Sequence, residues 1–332
     1  MVTLKELSKL LGISVSTVSK ALNDSEEISD LTKEKVKKLA EELNYKPNRI
    51  AQQLKSNKTK TVGVIIPSII NPFFAEVLHG IEEEASKHDY DIIICLSNEL
   101  LDKEQRSIEM LANGSVDGFL IAVARESQVE GVTDHLQDVL NSYIPLLMFD
   151  RVIDDIDCQK VIVDDFQSIY EATKYLIEEE HRSRILLISN IEDLSVGKLR
   201  IDGYSEAVKA HNLTPEILRL GDANDVETII YQYLKENTDI DAIISIDHIT
   251  GIVALNMAKK LGRIIPDDIS LMGFGYKHTE ILSSPKISMI HQKAFEIGEL
   301  ALRLLLEDIK SGDITTKTTV LPNVLKLYDT TK

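Results

Sequence analysis

The hydrophobic positions of this chain follow two different patterns, one before and one after about residue 60. In the first 45 residues, apolar side chains recur at the three-to-four spacing of short amphipathic helices. From Thr61 onward, short continuous apolar runs alternate with longer amphipathic segments. Continuous apolar strands between crossover helices are typical of parallel sheets that are covered on both faces. The pattern therefore predicts a small helical domain followed by a large α/β domain.

The strands and helices of the second part can be placed individually. The predicted strands are 62–66, 92–95, 118–121, 146–149, 161–163, 185–188, 242–245 and 269–272. Amphipathic helices are predicted between them, among others at 74–87, 166–180, 250–261 and 294–310. This number of strand–helix units is too large for one compact sheet, which indicates two doubly wound subdomains.

The first part has the pattern of a helix-turn-helix. Residues 4–11 form one amphipathic segment, Gly12 permits a tight turn, and Ser14 is placed to cap a helix over 15–22. That second helix is rich in Ser, Thr and Lys and has few large apolar residues on its outer face, as entry into a major groove requires. A third helix is predicted over 32–43. A generic three-helix bundle is the alternative interpretation.

A short segment connects the two parts. Pro47 stands at a helix start, and Ile50, Ala51 and Leu54 fall on one helical face, followed by a polar linker at 56–60. A helix of about two turns is marginal in water because nucleation is costly. The segment is therefore predicted to couple the two domains, with a passive apolar linker as the alternative.

The charge of the chain is unevenly distributed. The net charge is −17, but residues 1–60 hold 12 basic against 8 acidic residues, a balance of +4, and the remainder has a balance of −21. A modestly basic head can bind phosphate locally, while the acidic body discourages non-specific association with nucleic acid.

Enzyme signatures are missing from the sequence. It contains no P-loop and no Gly-x-Ser-x-Gly, and Gly273-Phe274-Gly275 is followed by His278 where a dinucleotide fingerprint needs glycine. The histidines lack metal-ligand spacing, so neither a metal nor a cofactor is expected. No apolar run has the length of a membrane span, and the first residues do not resemble a signal peptide. Cys95 and Cys158 are therefore expected to be reduced thiols in a cytoplasmic protein.

Motifs along the whole chain resemble the lactose-repressor (LacI/GalR) family of bacterial transcription regulators. The resemblance rests on Val2-Thr3-Leu4, on the stretch from Gly12 to Lys20, and on the run from Leu43 to Leu54. It departs from the family at Ser8 and Leu11, where alanine is usual. It implies a helix-turn-helix domain at 1–46, a hinge helix and linker at 47–60, and at 61–332 a domain like type I periplasmic sugar-binding proteins. The implied subdomains are 61–155 plus 292–321, and 156–288 plus 322–332.

The same resemblance implies specific contacts with double-stranded operator DNA. Val15, Ser16 and Lys20 occupy positions that read bases in the major groove. Positions that contact phosphate or belong to the hinge are Thr3, Ser14, Thr17, Asn23, Tyr45, Asn48, Ala51, Leu54 and Lys55. Leu54 matches the wedge that two hinge helices insert together into the minor groove of a palindromic site.

A small-molecule effector is expected between the subdomains, at the carboxyl ends of their strands. The residues implied are Phe73, Phe74, Asp150, Arg200, Asp247 and Gly275. Core packing is the alternative role for Phe74, a surface position for Arg200, and helix capping for Asp247. Gly275 stands where the family usually has an aspartate that binds a sugar hydroxyl, so the effector is expected to differ from an ordinary monosaccharide.

Taken together, the sequence predicts a cytoplasmic, dimeric, ligand-responsive repressor of carbohydrate-use genes that is not an enzyme. A dimer is favoured over a tetramer because no apolar heptad segment follows the strand-like residues 320–327. A protein or non-sugar co-effector is the alternative, and a sugar-binding protein without a regulatory role is a further one.

Overall fold

The computed structural model describes residues 2–45, 58–221, 223–276 and 279–332. The chain divides into two compact units, Met1–Thr59 and Lys60–Lys332, and each is described by itself. Within the described residues, no helix combines the length and the apolar character needed to cross a membrane.

The small unit is built from three helices, α1 (Leu4–Leu11), α2 (Val15–Leu22) and α3 (Asp30–Glu42). Its core contains the fully or almost fully buried side chains Leu7, Val18, Ala21, Val36 and Ala40. These residues recur at helical spacing, and their burial offsets the low intrinsic stability of helices only two or three turns long.

The turn between α1 and α2 explains one departure from the family pattern. Gly12 ends α1 in the left-handed region at φ 66°, where a side chain would be strained. The Ser8 hydroxyl donates a hydrogen bond of 2.7 Å to the Ile13 carbonyl, across the same turn. Ser8 therefore fixes the turn, a role that alanine could not provide.

The large unit contains two six-stranded sheets. The first has the order β11-β5-β4-β3-β1-β2 and is parallel throughout. Its strands are β1 (Thr61–Ile66), β2 (Asp91–Leu96), β3 (Gly118–Ile121), β4 (Leu146–Phe149), β5 (Gln159–Val163) and β11 (Thr318–Leu321). The second has the order β12-β10-β9-β8-β6-β7 and is parallel except for the antiparallel pair of β10 and β12. Its strands are β6 (Ile185–Ser189), β7 (Glu216–Arg219), β8 (Ala242–Ser245), β9 (Ser270–Gly275), β10 (Ser288–His291) and β12 (Val324–Lys326).

Helices cover both faces of each sheet and enclose two apolar clusters per subdomain. The first subdomain carries α4 (Pro72–Lys87), α5 (Leu101–Leu111), α6 (Arg125–Glu130), α7 (Asp134–Asn141) and α12 (Ala294–Ser311). The second carries α8 (Asp165–Glu178), α9 (Ser195–Ala210), α10 (Val226–Glu236) and α11 (His248–Lys260). Strands β1, β3, β4, β6, β8 and β9 are fully buried, as their continuous apolar sequences predict.

One predicted boundary between the subdomains is wrong. The sequence placed the second subdomain from residue 156, but β5 pairs in parallel with β4, with Phe149 opposite Val161. The first crossing therefore follows Val163 rather than residue 155, because β5 still finds its hydrogen-bond partners in the first sheet. The chain crosses again between β10 and α12, and between β11 and β12.

Candidate functional site

A cavity of about 310 Å³ lies between the two subdomains, and we call it the cleft. Its wall is formed by Ser68, Ile70, Asn71, Phe73, Phe74, Asp150, Arg151, Asn190, Ile191, Val196, Arg200, Asp247, Ile249, Phe274, Tyr276 and Gln292. Most of these residues directly follow the carboxyl ends of β1, β4, β6, β8, β9 and β10. Parallel strands bring their carboxyl ends to one edge of a sheet, so residues distant in sequence meet here.

Arg200 lies in the second turn of α9 and is held rigidly at the cleft wall. It is only 3% exposed, which excludes the alternative of a surface arginine. Its Nε donates to Asp165 Oδ1 at 2.7 Å and its Nη1 donates to the Ile246 carbonyl at 2.7 Å. The guanidinium carbon sits 3.7 Å from the centre of the Phe274 ring. A buried cation this well paired is pre-organised, and its Nη2 makes no hydrogen bond within the described residues.

Asp150 and Arg151 follow β4 and reach the cleft together. Burial raises the pKa of Asp150 to about 6, although the positive charges of Arg151 and Arg200 oppose that shift. Arg151 Nη1 donates to both carboxylate oxygens of Glu99, at 2.8 and 2.6 Å. Asp150 thus presents a buried carboxylate to the cleft, while the charge of Arg151 is compensated by Glu99.

Asp247 and Asn71 each cap a helix and also line the cleft. Asp247 Oδ1 accepts from the backbone N–H groups of Ile249 and Thr250, at 2.9 and 3.0 Å, and so caps α11. Asn71 Oδ1 accepts from the Phe73 N–H at 3.0 Å and caps α4. Both side chains also line the cleft, so the capping interpretation of Asp247 is confirmed without removing it from the site.

Phe73 and Phe74 likewise serve both the core and the cleft. Their rings meet edge to face with centroids 5.2 Å apart, and both side chains are buried in the first subdomain. Arg151 lies over the Phe74 ring at 5.4 Å from its centroid. The aromatic wall is therefore fixed before any ligand enters.

Gly275 is not brought to the cleft wall. A Cβ atom built at this position would lie 2.5 Å from the Met289 Sδ, on the neighbouring strand β10. The residues on either side, Phe274 and Tyr276, reach the cleft instead. The structure therefore does not place Gly275 among the residues of the cleft wall, whereas the expectation that the missing carboxylate changes the kind of effector stays a prediction.

Sequence reasoning missed Asn190, Tyr276 and Gln292. The Asn190 Oδ1 is buried and has no hydrogen-bond partner in the described part of the chain, and the side chain lines the cleft just after β6. The available signal was positional, because each of these polar residues stands immediately after a strand or one residue beyond it. Asp165 was missed because its partner Arg200 lies 35 residues away in the sequence.

The surface of α2 in the small unit carries the predicted DNA contacts. Val15 and Ser16 are exposed, and the Ser14 Oγ accepts from the Thr17 N–H at 3.0 Å. The Lys20 ammonium forms an ion pair with Glu27. Asn23 Nδ2 donates to the Ser19 carbonyl at 2.9 Å at the end of the helix. This exposed ion pair uses one of the three N–H donors of the Lys20 ammonium.

Two other predicted phosphate contacts have structural roles as well. Thr3 caps α1 in a capping box, in which its N–H donates to Glu6 Oε2 at 2.7 Å. Tyr45 packs partly against the head core, and burial raises the pKa of its hydroxyl. The hinge contacts Asn48, Ala51, Leu54 and Lys55 lie outside the described residues.

Known families and proteins match both units. The description "Bacterial regulatory proteins, lacI family" matches residues 3–48, and "Periplasmic binding proteins and sugar binding domain of LacI family" matches residues 59–327. The HTH-type transcriptional repressor PurR of Aliivibrio fischeri (strain ES114) is 32% identical over 323 residues, covering 94% of this chain and 93% of the relative. The PurR repressor of Vibrio vulnificus is 30% identical over 338 residues, covering 100% and 99%.

Solved structures show the same fold. The lac repressor dimer bound to operator and the anti-inducer ONPF superposes with a TM-score of 0.88 at 21% identity, covering 99% of this chain and 98% of that one. The transcriptional regulator CelR in complex with cellobiose has a TM-score of 0.72 at 23% identity, covering 99% and 100%. With a helix-turn-helix unit, a cleft between two doubly wound subdomains and these matches, the chain belongs to the LacI family of bacterial regulatory proteins and is a ligand-responsive, DNA-binding transcription regulator rather than an enzyme.

Proposed function

We propose that this regulator is a dimeric repressor that binds a palindromic operator in the cytoplasm and responds to a neutral, polyhydroxylated effector such as a sugar. The observation that carries the proposal is the charge arrangement of the cleft. Both arginines at its wall are already neutralised by carboxylates, while the buried Asn190 Oδ1 has no hydrogen-bond partner among the described residues.

The electrostatics of the cleft favour a neutral ligand over an anion. Arg151 and Arg200 are paired with Glu99 and Asp165, and two further carboxylates, Asp150 and Asp247, line the cleft. A phosphate or carboxylate ligand would need cations that are not yet compensated. Hydroxyl groups instead can donate to Asp150 and to Asn190 Oδ1, and can accept from the remaining donors of Arg200. The aromatic wall then contacts the apolar face of the ligand.

A thermal-shift screen tests this effector class, because a ligand that binds only the folded state raises the melting temperature. Neutral mono- and disaccharides are compared with their phosphates, with sugar acids and with nucleobases. We expect stabilisation by one or more neutral sugars and none by their phosphates. Stabilisation by a phosphosugar alone would contradict the proposal.

A flat non-sugar metabolite is the second candidate, and one observation favours it. Phe73, Phe74, Phe274 and Tyr276 bring four aromatic rings to the cleft, which can stack on a planar ligand as well as on a sugar ring. The nucleobase arm of the same screen decides between the two classes. Stabilisation by a nucleobase and not by sugars would replace the sugar with this alternative.

The operator part of the proposal rests on the exposed face of α2 and on the basic balance of the head. Val15, Ser16 and Lys20 are proposed to face base edges, with Ser14 and Thr17 at the phosphate backbone. The logarithm of operator affinity should fall with the logarithm of salt concentration with a slope of roughly 0.9 per neutralised phosphate. Anisotropy titrations on a palindromic operator obtained by in vitro selection measure this slope, and a flat response would contradict DNA binding by the head.

The dimer part is supported by the edge strand β2 of the first sheet. Among the strands that the structure describes it pairs with β1 alone, and Ile93, Ile94 and Leu96 on it are 36, 41 and 37% exposed. An apolar, unprotected edge strand is a liability in a monomer and is typical of a surface that pairs with another chain. We expect Ile94→Lys to yield monomers in sedimentation velocity runs, whereas the parent chain sediments as a dimer.

A further inference from the structure

The short helix α6 of the first subdomain contacts the second subdomain through two side chains. Arg125 Nη2 donates to the Asn190 carbonyl at 2.9 Å, and its Nε lies 3.6 Å from Asp193 Oδ2. Gln128 Nε2 donates to Ser195 Oγ at 3.0 Å, and Gln128 Oε1 accepts from the Ser195 backbone N–H at 3.1 Å. These contacts connect the two subdomains beside the cleft, independently of the crossing segments.

The Gln128 contact completes helix α9 from outside its own subdomain. The residue at the cap position of α9 is Leu194, whose side chain makes no capping hydrogen bond. The N–H groups of the first helical turn have no partner within the helix. Ser195 is the first residue of α9, and its N–H is satisfied by Gln128 across the boundary between the subdomains. The same helix carries Arg200 one and a half turns later.

The helix α6 is itself tied to the cleft. Its first N–H groups are accepted by Glu99, with Arg125 N donating to Glu99 Oε2 at 3.0 Å and Glu126 N to the Glu99 carbonyl at 3.1 Å. Glu99 is also the partner of Arg151 at the cleft wall. A fully buried Glu104 supports the start of the helix further, accepting from Ala124 N at 2.6 Å and from the Ser127 hydroxyl at 2.6 Å. A displacement of Arg151 would therefore also displace the Glu99 carboxylate, which accepts from the first N–H group of α6.

We propose that Gln128 and Ser195 form a latch between the subdomains, and that an effector regulates the protein by making or breaking it. The inference rests on the proposed effector role of the cleft. In the latched arrangement α9 is capped and Arg200 is held at the wall. When the subdomains separate, the Ser195 N–H loses its protein acceptor and Gln128 loses both hydrogen bonds that it makes with Ser195. Gln128 is thus a positioning residue that acts through α9, and it is not among the residues that line the cleft.

The latch can be broken from either side. Gln128→Ala removes the cap from the first subdomain. Ser195→Pro removes the N–H from the second, and proline is well tolerated at the first position of a helix. Leu194 has φ −81° and ψ 155°, an extended conformation that suits the residue before a proline. Gln137→Ala is the matched control, because Gln137 lies on α7 of the first subdomain and, among the described residues, its side chain bonds only to Asn141, at 3.4 Å.

The test measures the distance between subdomains in the full-length protein without any ligand. Spin labels are placed at Ser142→Cys and Glu206→Cys, both exposed and one on each subdomain, in a Cys95→Ser background. Double electron–electron resonance should show that Gln128→Ala and Ser195→Pro each move or broaden the distance distribution by more than about 2 Å. Gln137→Ala should match the parent protein. Combining the two latch variants should add little, because residues that share one contact are not additive.

Hydrogen exchange provides the second measurement. Loss of one hydrogen bond should make the Ser195 amide of Gln128→Ala exchange about two- to tenfold faster, with no change there in Gln137→Ala. Unchanged distances in both latch variants would overturn the proposal. A shift in Gln128→Ala without one in Ser195→Pro would overturn it too, because Gln128 would then act through the Val152 carbonyl that it also contacts at 2.9 Å. Neither operator nor effector is needed, so this failure is distinguishable from failure of the proposed function.

Discussion

The face of α2 and the wall of the cleft both present polar side chains, but they hold them in opposite ways. On α2, the polar groups are exposed or half-exposed, and they bond to neighbours within one or two helical turns. In the cleft, Arg200, Asp165, Asp150 and Arg151 are buried, and their partners come from distant strands and helices. Exposed pairs contribute little and are easily exchanged for phosphate or base contacts. Buried pairs are costly to disrupt, so they give the cleft a fixed geometry.

The largest expected effect on stability is at Arg200, which tests directly whether the polar groups of the cleft are held by buried pairs. Arg200→Ala leaves the buried Asp165 without its cation, and removal of one partner of a buried pair costs roughly 3–5 kcal/mol. We expect a loss of this size in urea unfolding, together with loss of the effector response. The double variant Arg200→Met with Asp165→Leu should regain stability but not effector binding. Stability equal to the parent chain in Arg200→Ala would mean that the pair is not buried as described.

The pH dependence of effector affinity should follow Asp150. Its pKa of about 6 in the folded chain lies above the ordinary value of 3.8, so ionisation is disfavoured by folding, and its contribution to stability is lost as pH rises through this window. A hydroxyl donates a stronger hydrogen bond to the ionised carboxylate than to the neutral carboxyl group, so affinity should instead fall as pH drops below about 6, by at most about tenfold per pH unit. Calorimetric titrations check this pH dependence of effector affinity between roughly pH 5 and pH 8, a range that extends about one to two units on either side of the pKa. Asp150→Asn should bind more weakly and without this pH dependence.

The cap of α2 should matter less than the buried pair. Ser14→Ala removes the acceptor of the Thr17 N–H and should destabilise the head by about 0.5–2 kcal/mol. Because Ser14 is also proposed to contact phosphate, operator affinity should fall with it. Ser14→Asp retains the cap but repels phosphate, so it separates the two roles. If Ser14→Asp bound the operator as well as the parent chain, the phosphate assignment would be wrong.

The smallest effect is expected at the exposed ion pair of Lys20 and Glu27. Glu27→Gln frees the Lys20 ammonium, and operator affinity should rise by no more than about fivefold, since exposed pairs are weak. Glu26→Gln next to it removes the same charge without a pair to Lys20 and serves as the control. An equal gain in both variants would indicate a general charge effect rather than release of Lys20.

The sequence determined the elements and the class of architecture. Helical spacing around Leu7 and Val18 predicted the head, and continuous apolar runs such as 62–66 predicted the buried parallel strands. These are local properties, because side-chain periodicity and burial follow from neighbouring residues. The strand β7 was not predicted, because Glu216–Arg219 is a half-buried edge strand that combines charged and apolar residues. The position of the first crossing between the subdomains was predicted wrongly, because it is determined by the pairing of β5 with β4.

In the candidate site, too, some features could be predicted from the sequence and others depend on the tertiary structure. Asp150 and Asp247 could be assigned from their positions at strand ends, and Phe74 and Arg200 from the family pattern. Their electrostatic state could not be assigned, because it depends on Glu99 and Asp165, which lie on other elements. The cap that Gln128 gives to α9, and the space that Met289 fills beside Gly275, also arise only when two chain segments meet. Sequence specified which chemical groups are available, and tertiary structure decided which of them are paired, buried and free to bind, because burial and pairing are properties of neighbours in space.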